Sequence, residues 1–346
     1  MKPYLQPLSI KVARPHLQGY IKHNMTTMLQ RFFRIVGLLL CWLMATAMMP
    51  VMANEDVTYL LTAASKGDLE IVNAMLASGA NANVKDEDGM TVLMYAARKN
   101  QVGVATVLID KGADINATDA GGWTPLMFAA KKNNIATVSV LLLRGADAKV
   151  RDPSGWSALG IAAVSGFAPT VDLLVKHGVD VNTQSDGGKT ILMYAAKSGD
   201  IPTLTTLLDN KANTLARDQL GMTALMIAAR EGHASAVELL AKRGALVNQK
   251  DLSKWSALNW AVKKSKFEAA KALVEAGADV NNLDAEGTPL LHIAVDNGNA
   301  DIVQLLLEHN VKVKAKDQYG LTALVYALKG QHTEIIRLIK DAGGSY

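Results

Sequence analysis

The chain has 346 residues, 49% of them hydrophobic and only 5% aromatic, with a net charge of +4. Its length fits two or three globular domains unless the sequence repeats itself. Residues 1–53 hold six of the 36 basic residues and none of the 32 acidic ones, so the remainder is slightly acidic and carries no overall electrostatic footprint for nucleic acid. The single cysteine, Cys41, lies in the same leader, which leaves the rest without a disulfide or a thiolate metal site.

In chain order, residues 1–24 are mixed in character and hold Pro3, Pro7 and Pro15; they read as an extension ahead of a start at Met25 or Met28. Arg31 and Arg34 then precede an uncharged run from Ile35 to Ala53. Pro50 breaks that run and Val51-Met52-Ala53 offers compact residues before the acidic Glu55 and Asp56. A positive end, an apolar core and a small-residue exit make residues 25–53 a secretory signal peptide. The run is also long enough to remain as a membrane anchor. A lipoprotein signal fails because Leu40 precedes Cys41. Both surviving readings place residues 54–346 across the membrane, in the periplasm or outside the cell.

From Ala63-Ala64 onward, small-residue pairs return every 33 residues, through Ala96-Ala97, Ala129-Ala130 and so on to Ala327-Leu328. Glycines from Gly79 to Gly343 keep the same period, with Lys211 and Asn310 in two of the places. An aspartate series from Asp86 to Asp317 breaks only at Ser185. Nine units sharing three landmarks define a repeat array.

The unit resembles the ankyrin repeat. Asp119-Ala-Gly-Gly122 leads into Thr124-Pro125-Leu126-Met127-Phe128-Ala129-Ala130, and the unit closes on Gly145-Ala146-Asp147. The resemblance implies an all-α solenoid of helix-turn-helix units joined by hairpin-like finger turns. Thr91, Thr124, Thr190 and Thr223 are placed to cap first helices, and Pro125 suits a first helical position. Pro169 and Pro202 fall in the first turn of second helices. The family's signature histidine survives only as His292. The usual His–Thr bond is therefore expected to be missing elsewhere. Thr288 reads as one residue early, which predicts a shortened or shifted turn before the eighth unit. Phe128, Tyr194 and Trp260 share a phase and read as core.

No catalytic residue, cofactor, metal ligand or small-molecule substrate is expected. Zinc-hydrolase spacings and the Gly-x-Ser-x-Gly elbow are absent. Gly188-Lys189-Thr190 mimics the end of a phosphate loop, but Thr183 stands where that loop needs glycine. By the resemblance, the residues after each small pair line a concave groove. Ten of those eighteen positions are basic, among them Arg98, Lys99, Lys131, Lys132, Lys197, Arg230, Lys263 and Lys264. Trp123, Trp156 and Trp255 sit at the finger tips, with Lys254 beside the last, where they either meet a partner or pack on the next turn. The expected partner is a protein with an acidic surface, bound by a chain that is monomeric alone. A scaffold or adaptor, an immunity or inhibitor protein, and a secreted effector binding host proteins all fit this pattern.

Overall fold

The computed structural model describes residues 56–185 and 187–345. The chain divides after Tyr59. Of the first unit only residues 56–59 are described, and these are helical. The extension at 1–24 and the signal peptide at 25–53 lie outside the described residues.

The unit that begins at Leu60 is a series of paired short helices. The first helices are 60–66 (α1), Val92–Arg98 (α3), Pro125–Lys131 (α5), Ala158–Val164 (α7), Ile191–Ser198 (α9), Ala224–Glu231 (α11), Ala257–Lys263 (α13), Leu290–Asp296 (α15) and Ala323–Lys329 (α17). The second helices are Leu69–Ala77 (α2), Val102–Asp110 (α4), Ile135–Leu143 (α6), Ala168–Lys176 (α8), Ile201–Asp209 (α10), Ala234–Lys242 (α12), Phe267–Glu275 (α14), Ala300–Glu308 (α16) and Thr333–Asp341 (α18). No strand occurs among the described residues. Isolated antiparallel bridges such as Lys85 to Thr91 and Gln184 to Thr190 give the fingers their hairpin character.

The repeat landmarks explain this regularity. Ala96, Ala97, Ala129, Ala130, Ala195 and Ala196 are fully buried, and their small side chains let consecutive first helices stack closely. Larger side chains on the second helices, such as Leu108, Leu141 and Leu240, fill the space behind them. Truncating one of these leucines to alanine would cost about 2–5 kcal/mol. Thr91 Oγ1 accepts from the Met94 N–H at 3.2 Å, and Thr124, Thr190 and Thr223 repeat that cap. Where the family's histidine is absent, sulfur stands in: the N–H groups of Thr91, Thr190 and Thr223 point at Met94, Met193 and Met226 Sδ at 3.3–3.4 Å.

Each turn aspartate closes its finger. Asp218 Oδ1, for example, accepts from the N–H groups of Leu220 and Met222, both at 2.9 Å. An asparagine ladder ties successive loops: Asn83, Asn182, Asn248 and Asn281 each donate to a carbonyl of the next repeat and accept one of its N–H groups.

Two expectations need correction. The turn before the eighth unit is not shortened: Gly287 N–H returns to the Asp284 carbonyl at 3.2 Å, and Thr288 N–H reaches Asp284 Oδ1 at 2.8 Å, as in the other fingers. Thr288 simply occupies the place of Trp255, and Pro289 takes the capping place, where it offers no side-chain acceptor. Phe128, Tyr194 and Trp260 are only partly buried, because their rings lie over the finger turns beside the stack.

Candidate functional site

Apart from Lys254, the basic residues singled out in the sequence gather at one structural position, the C-terminal end of the first helices. Lys131 and Lys263 end α5 and α13, while Lys99, Lys132 and Lys264 follow as C-caps. Arg98 and Lys197 lie in the last turns of α3 and α9. A cation there offsets the partial negative charge of the helix end, worth about 0.3–1 kcal/mol each. Local helix stability is therefore one reason for cations at these ends.

Pairing separates these residues from the other cations. Among the described residues there are five ion pairs, and four of them use second-helix cations: Arg144, Lys176, Lys242 and Arg243. Of the ten basic residues at the first-helix ends, only Arg230 has a carboxylate, that of Glu231 at 2.9 Å. Arg230 also lies 5.8 Å from the centre of the Trp260 ring, and Arg98 stacks 5.2 Å from that of Tyr95. Lys131 Nζ is 3.5 Å from Ser165 Oγ of the next repeat. Lys99, Lys132, Lys197, Lys263 and Lys264 are exposed, with no carboxylate within ion-pair distance.

The three tryptophans are half-buried and engaged within the array, two of them with the following repeat. Trp123 packs on Phe128 at 5.3 Å and donates from Nε1 to Asp152 Oδ2 at 3.1 Å. Trp156 lies 4.7 Å from Tyr194 of the following repeat, and Trp255 lies 4.9 Å from Trp260. Lys254, beside Trp255, is exposed and left-handed at φ 61°. Seven other fingers have glycine there, so a lysine at this point bears a conformational cost of about 1–2 kcal/mol. Lys266 runs its stem against Gly232 of the preceding repeat.

Two features escaped the sequence reading. Leu220 and Leu252 are 65% and 71% exposed at adjacent finger tips, joined by Leu252 N–H to the Leu220 carbonyl at 3.1 Å. A leucine in a turn place that most other fingers fill with small or polar residues was the available signal. The second feature is a set of locks between a finger and its own first helix. Asp86 Oδ2 accepts from the Tyr95 hydroxyl at 2.7 Å, Asp251 Oδ2 from Trp260 Nε1 at 2.8 Å, and Asp317 Oδ2 from the Tyr326 hydroxyl at 2.5 Å. The bond to Asp86 raises the Tyr95 pKa, and the bond to Asp317 carries Tyr326 up to about 12. Burial pushes Asp317 up, but hydrogen bonds from Tyr326, Leu321 and Tyr319 outweigh it and hold the carboxyl below its usual value.

No group of three or more metal-ligating side chains, and no helix long and apolar enough to cross a membrane, occurs among the described residues.

The paired helices, the bridged fingers and the Thr-x-x-Met caps define a repeat solenoid with a charged edge. A family model for ankyrin repeats matches it in four overlapping stretches, residues 60–152, 126–218, 212–284 and 280–345. The chain belongs to the ankyrin-repeat family. It is similar to the crystal structure of the human ASB11 ankyrin repeat domain, with 27% identity and a TM-score of 0.57 over 64% of this chain and 98% of that one. Among curated protein sequences none matches. Ankyrin repeats mediate protein–protein interaction, and the fold is typically a non-catalytic scaffold.

Proposed function

We propose that this protein is an exported interaction scaffold that docks an acidic protein surface along the ends of its first helices. The observation that carries this reading is the uneven pairing of charge: nine of ten cations at those ends lack a carboxylate, while second-helix cations supply four of the five ion pairs. Like charges repeated along one edge repel one another, and an acidic partner relieves that repulsion while gaining a faster encounter. The exposed Leu220 and Leu252, beside Lys254 and Trp255, add apolar area of the kind that anchors an interface. Export rests on the leader at 25–53. N-terminal sequencing of the secreted chain is expected to begin at Asn54, and an intact leader would mean a membrane-anchored scaffold.

The test uses residues 54–346 as bait at low and high salt, with mass spectrometry of what is retained. Affinity for a captured partner is then measured with Lys131, Lys132, Lys263 and Lys264 all changed to Glu. Binding should weaken by at least about tenfold and lose its salt dependence. Unchanged affinity would reduce the basic edge to a solvated surface and overturn the reading.

A further inference from the structure

One finger departs from the others in chemistry while keeping their geometry. In repeats two, seven and nine the turn aspartate is a receiver for three donors. Asp86 accepts from the N–H groups of Asp88 and Met90 and from the Tyr95 hydroxyl. Asp251 accepts from Ser253, Trp255 and the Trp260 indole, and Asp317 from Tyr319, Leu321 and the Tyr326 hydroxyl. In repeat five the aspartate is Ser185, yet the frame is unchanged. Ser185 N–H meets the Lys189 carbonyl at 2.9 Å and Gly188 N–H meets the Ser185 carbonyl at 2.8 Å, matching 3.0 and 2.8 Å around Asp218. The three donors remain: the N–H groups of Gly187 and Lys189 and the hydroxyl of Tyr194. None has a hydrogen-bond acceptor among the described residues; Asp186, the finger's own carboxylate, lies outside them.

The same joint holds two further departures from the repeat. Gly160 stands where its counterparts are Met94, Met127, Met193, Met226, Asn259, His292 and Val325. A Cβ there would lie 3.0 Å from Trp156 Cε3, so glycine is what lets Trp156 lie down against the helix and reach Tyr194. Lys189 is the only charged residue in a series otherwise made of Met90, Trp123, Trp156, Met222, Trp255, Thr288 and Leu321. Gly160, Ser185 and Lys189 all line one pocket of about 30 Å³, with Trp156 and Tyr194 as its aromatic wall and Arg151 at its edge. Roughly 10–15 Å³ by this measure holds one water, so the pocket admits a group of carboxylate size. Neither Arg151 nor Lys189 has an ion-pair partner among the described residues, and Arg151 spends one guanidinium N–H on the Gln184 carbonyl at 2.7 Å.

We infer that this pocket between repeats four and five takes an Asp or Glu side chain of the partner protein. Unmatched donors that elsewhere converge on an internal carboxylate, with two added cations, select a carboxylate from outside. The inference rests on the proposed acidic partner and adds the place where one of its side chains is anchored.

The test follows the full array by NMR, with the Trp156 indole signal identified from Trp156→Phe. The probe is acetyl-tetraglutamate amide, with the tetraglutamine peptide as control. The expected result is a saturable shift of the Trp156 indole and the Lys189 amide with the glutamate peptide alone. Ser185→Asp restores the internal carboxylate, so it should raise the melting temperature by a few degrees while weakening the peptide at least about tenfold. Tyr194→Phe removes one donor and should weaken the peptide by about three- to tenfold. Peptide shifts confined to signals near Lys131, Lys132, Lys263 and Lys264, or an affinity indifferent to both substitutions, would overturn the pocket and leave the basic edge standing. Shifts nowhere at all would sink both.

Discussion

The joint between repeats two and three and the joint between repeats seven and eight occupy the same slots of the array and fill them with opposite chemistry. Met94 and Ala117 form an apolar cluster with Met90, against which Tyr95 and Phe128 pack. Five repeats on, the corresponding residues are Asn259 and Asn282, both buried and joined by a short bond from Asn282 Nδ2 to Asn259 Oδ1. That oxygen also receives Ser256 N–H and Oγ–H, so it is crowded while Asn259 Nδ2 and Asn282 Oδ1 find nothing. Met127 likewise becomes His292, whose Nε2 meets the Leu321 carbonyl at 2.9 Å and whose Nδ1 is buried without a partner. Each such atom costs about 1–3 kcal/mol. In an array, stability is close to a sum over units and nearest-neighbour contacts. The difference therefore stays local: one joint is held by apolar burial, the other by a polar cluster that is only partly satisfied.

The largest expected effect comes from carrying the polar pair into the apolar joint. Met94→Asn should destabilise by about 3 kcal/mol in urea unfolding, through lost burial and an unpaired amide. Adding Ala117→Asn should recover at least about 1 kcal/mol, because the amides then pair as they do at 259 and 282. In the reverse direction, Asn259→Met with Asn282→Ala should stabilise the array, while either change alone strands the other amide. Strict additivity in both cycles would show that the two asparagines are not a unit.

Much of this contrast was legible in the sequence. The period of 33, the Thr caps, the prolines at the starts of helices and the first-helix cations follow from local rules of backbone and charge, and each falls where those rules place it. Asn259 and His292 could be seen as departures from the methionine series. Their surroundings could not, because the partner of Asn259 is 23 residues away and an asparagine at 282 looks like any loop residue. The same holds at the candidate pocket. Ser185 showed as a break in the aspartate series, but the three donors it leaves unmatched depend on where Tyr194 and the finger amides point. Thr288 misled because Pro289 at the capping place looks like a register shift, when the Asp284 turn keeps the full spacing.

The next effect sharpens the comparison through pH. Burial holds the His292 pKa below its ordinary value, with the Leu321 carbonyl and the nearby Asp317 pulling weakly the other way. Its folded pKa is lower than its unfolded one, so the unfolded chain binds the extra proton. The contribution to stability is complete above about pH 6.5 and is lost as pH falls from there toward the folded pKa, by about 1.4 kcal/mol per pH unit at most. His292→Met, which copies Met127, should flatten the melting temperature between pH 7.5 and 5. An equal acid slope in the variant would place the sensitivity elsewhere.

The smallest effect lies at the edge of the polar joint, where Tyr326 packs 5.4 Å from His292 and bonds Asp317. Tyr326 titrates at about 12 because the Asp317 carboxylate holds its proton. The raised value favours the neutral phenol in the fold. Its contribution is present below pH 10, the ordinary tyrosine value, and fades as pH rises toward 12. Asp317 has the opposite sense: its lowered pKa adds stability above the ordinary carboxylate range, and this is lost as pH falls through the folded value. One bond thus supports the fold at both ends of the pH scale, and Tyr326→Phe should trim both limbs of the stability curve together. Tyr95 and Asp86 form the same lock beside the apolar joint, where no histidine intervenes. In ultraviolet titration, Asp317→Ser should return Tyr326 toward 10 and leave Tyr95 raised. That substitution copies Ser185 into repeat nine, so it also shows what a tyrosine does when its finger carries no carboxylate. If Tyr326 stayed near 12 in that variant, its shift would belong to the packing around His292, and the finger lock would not be its source.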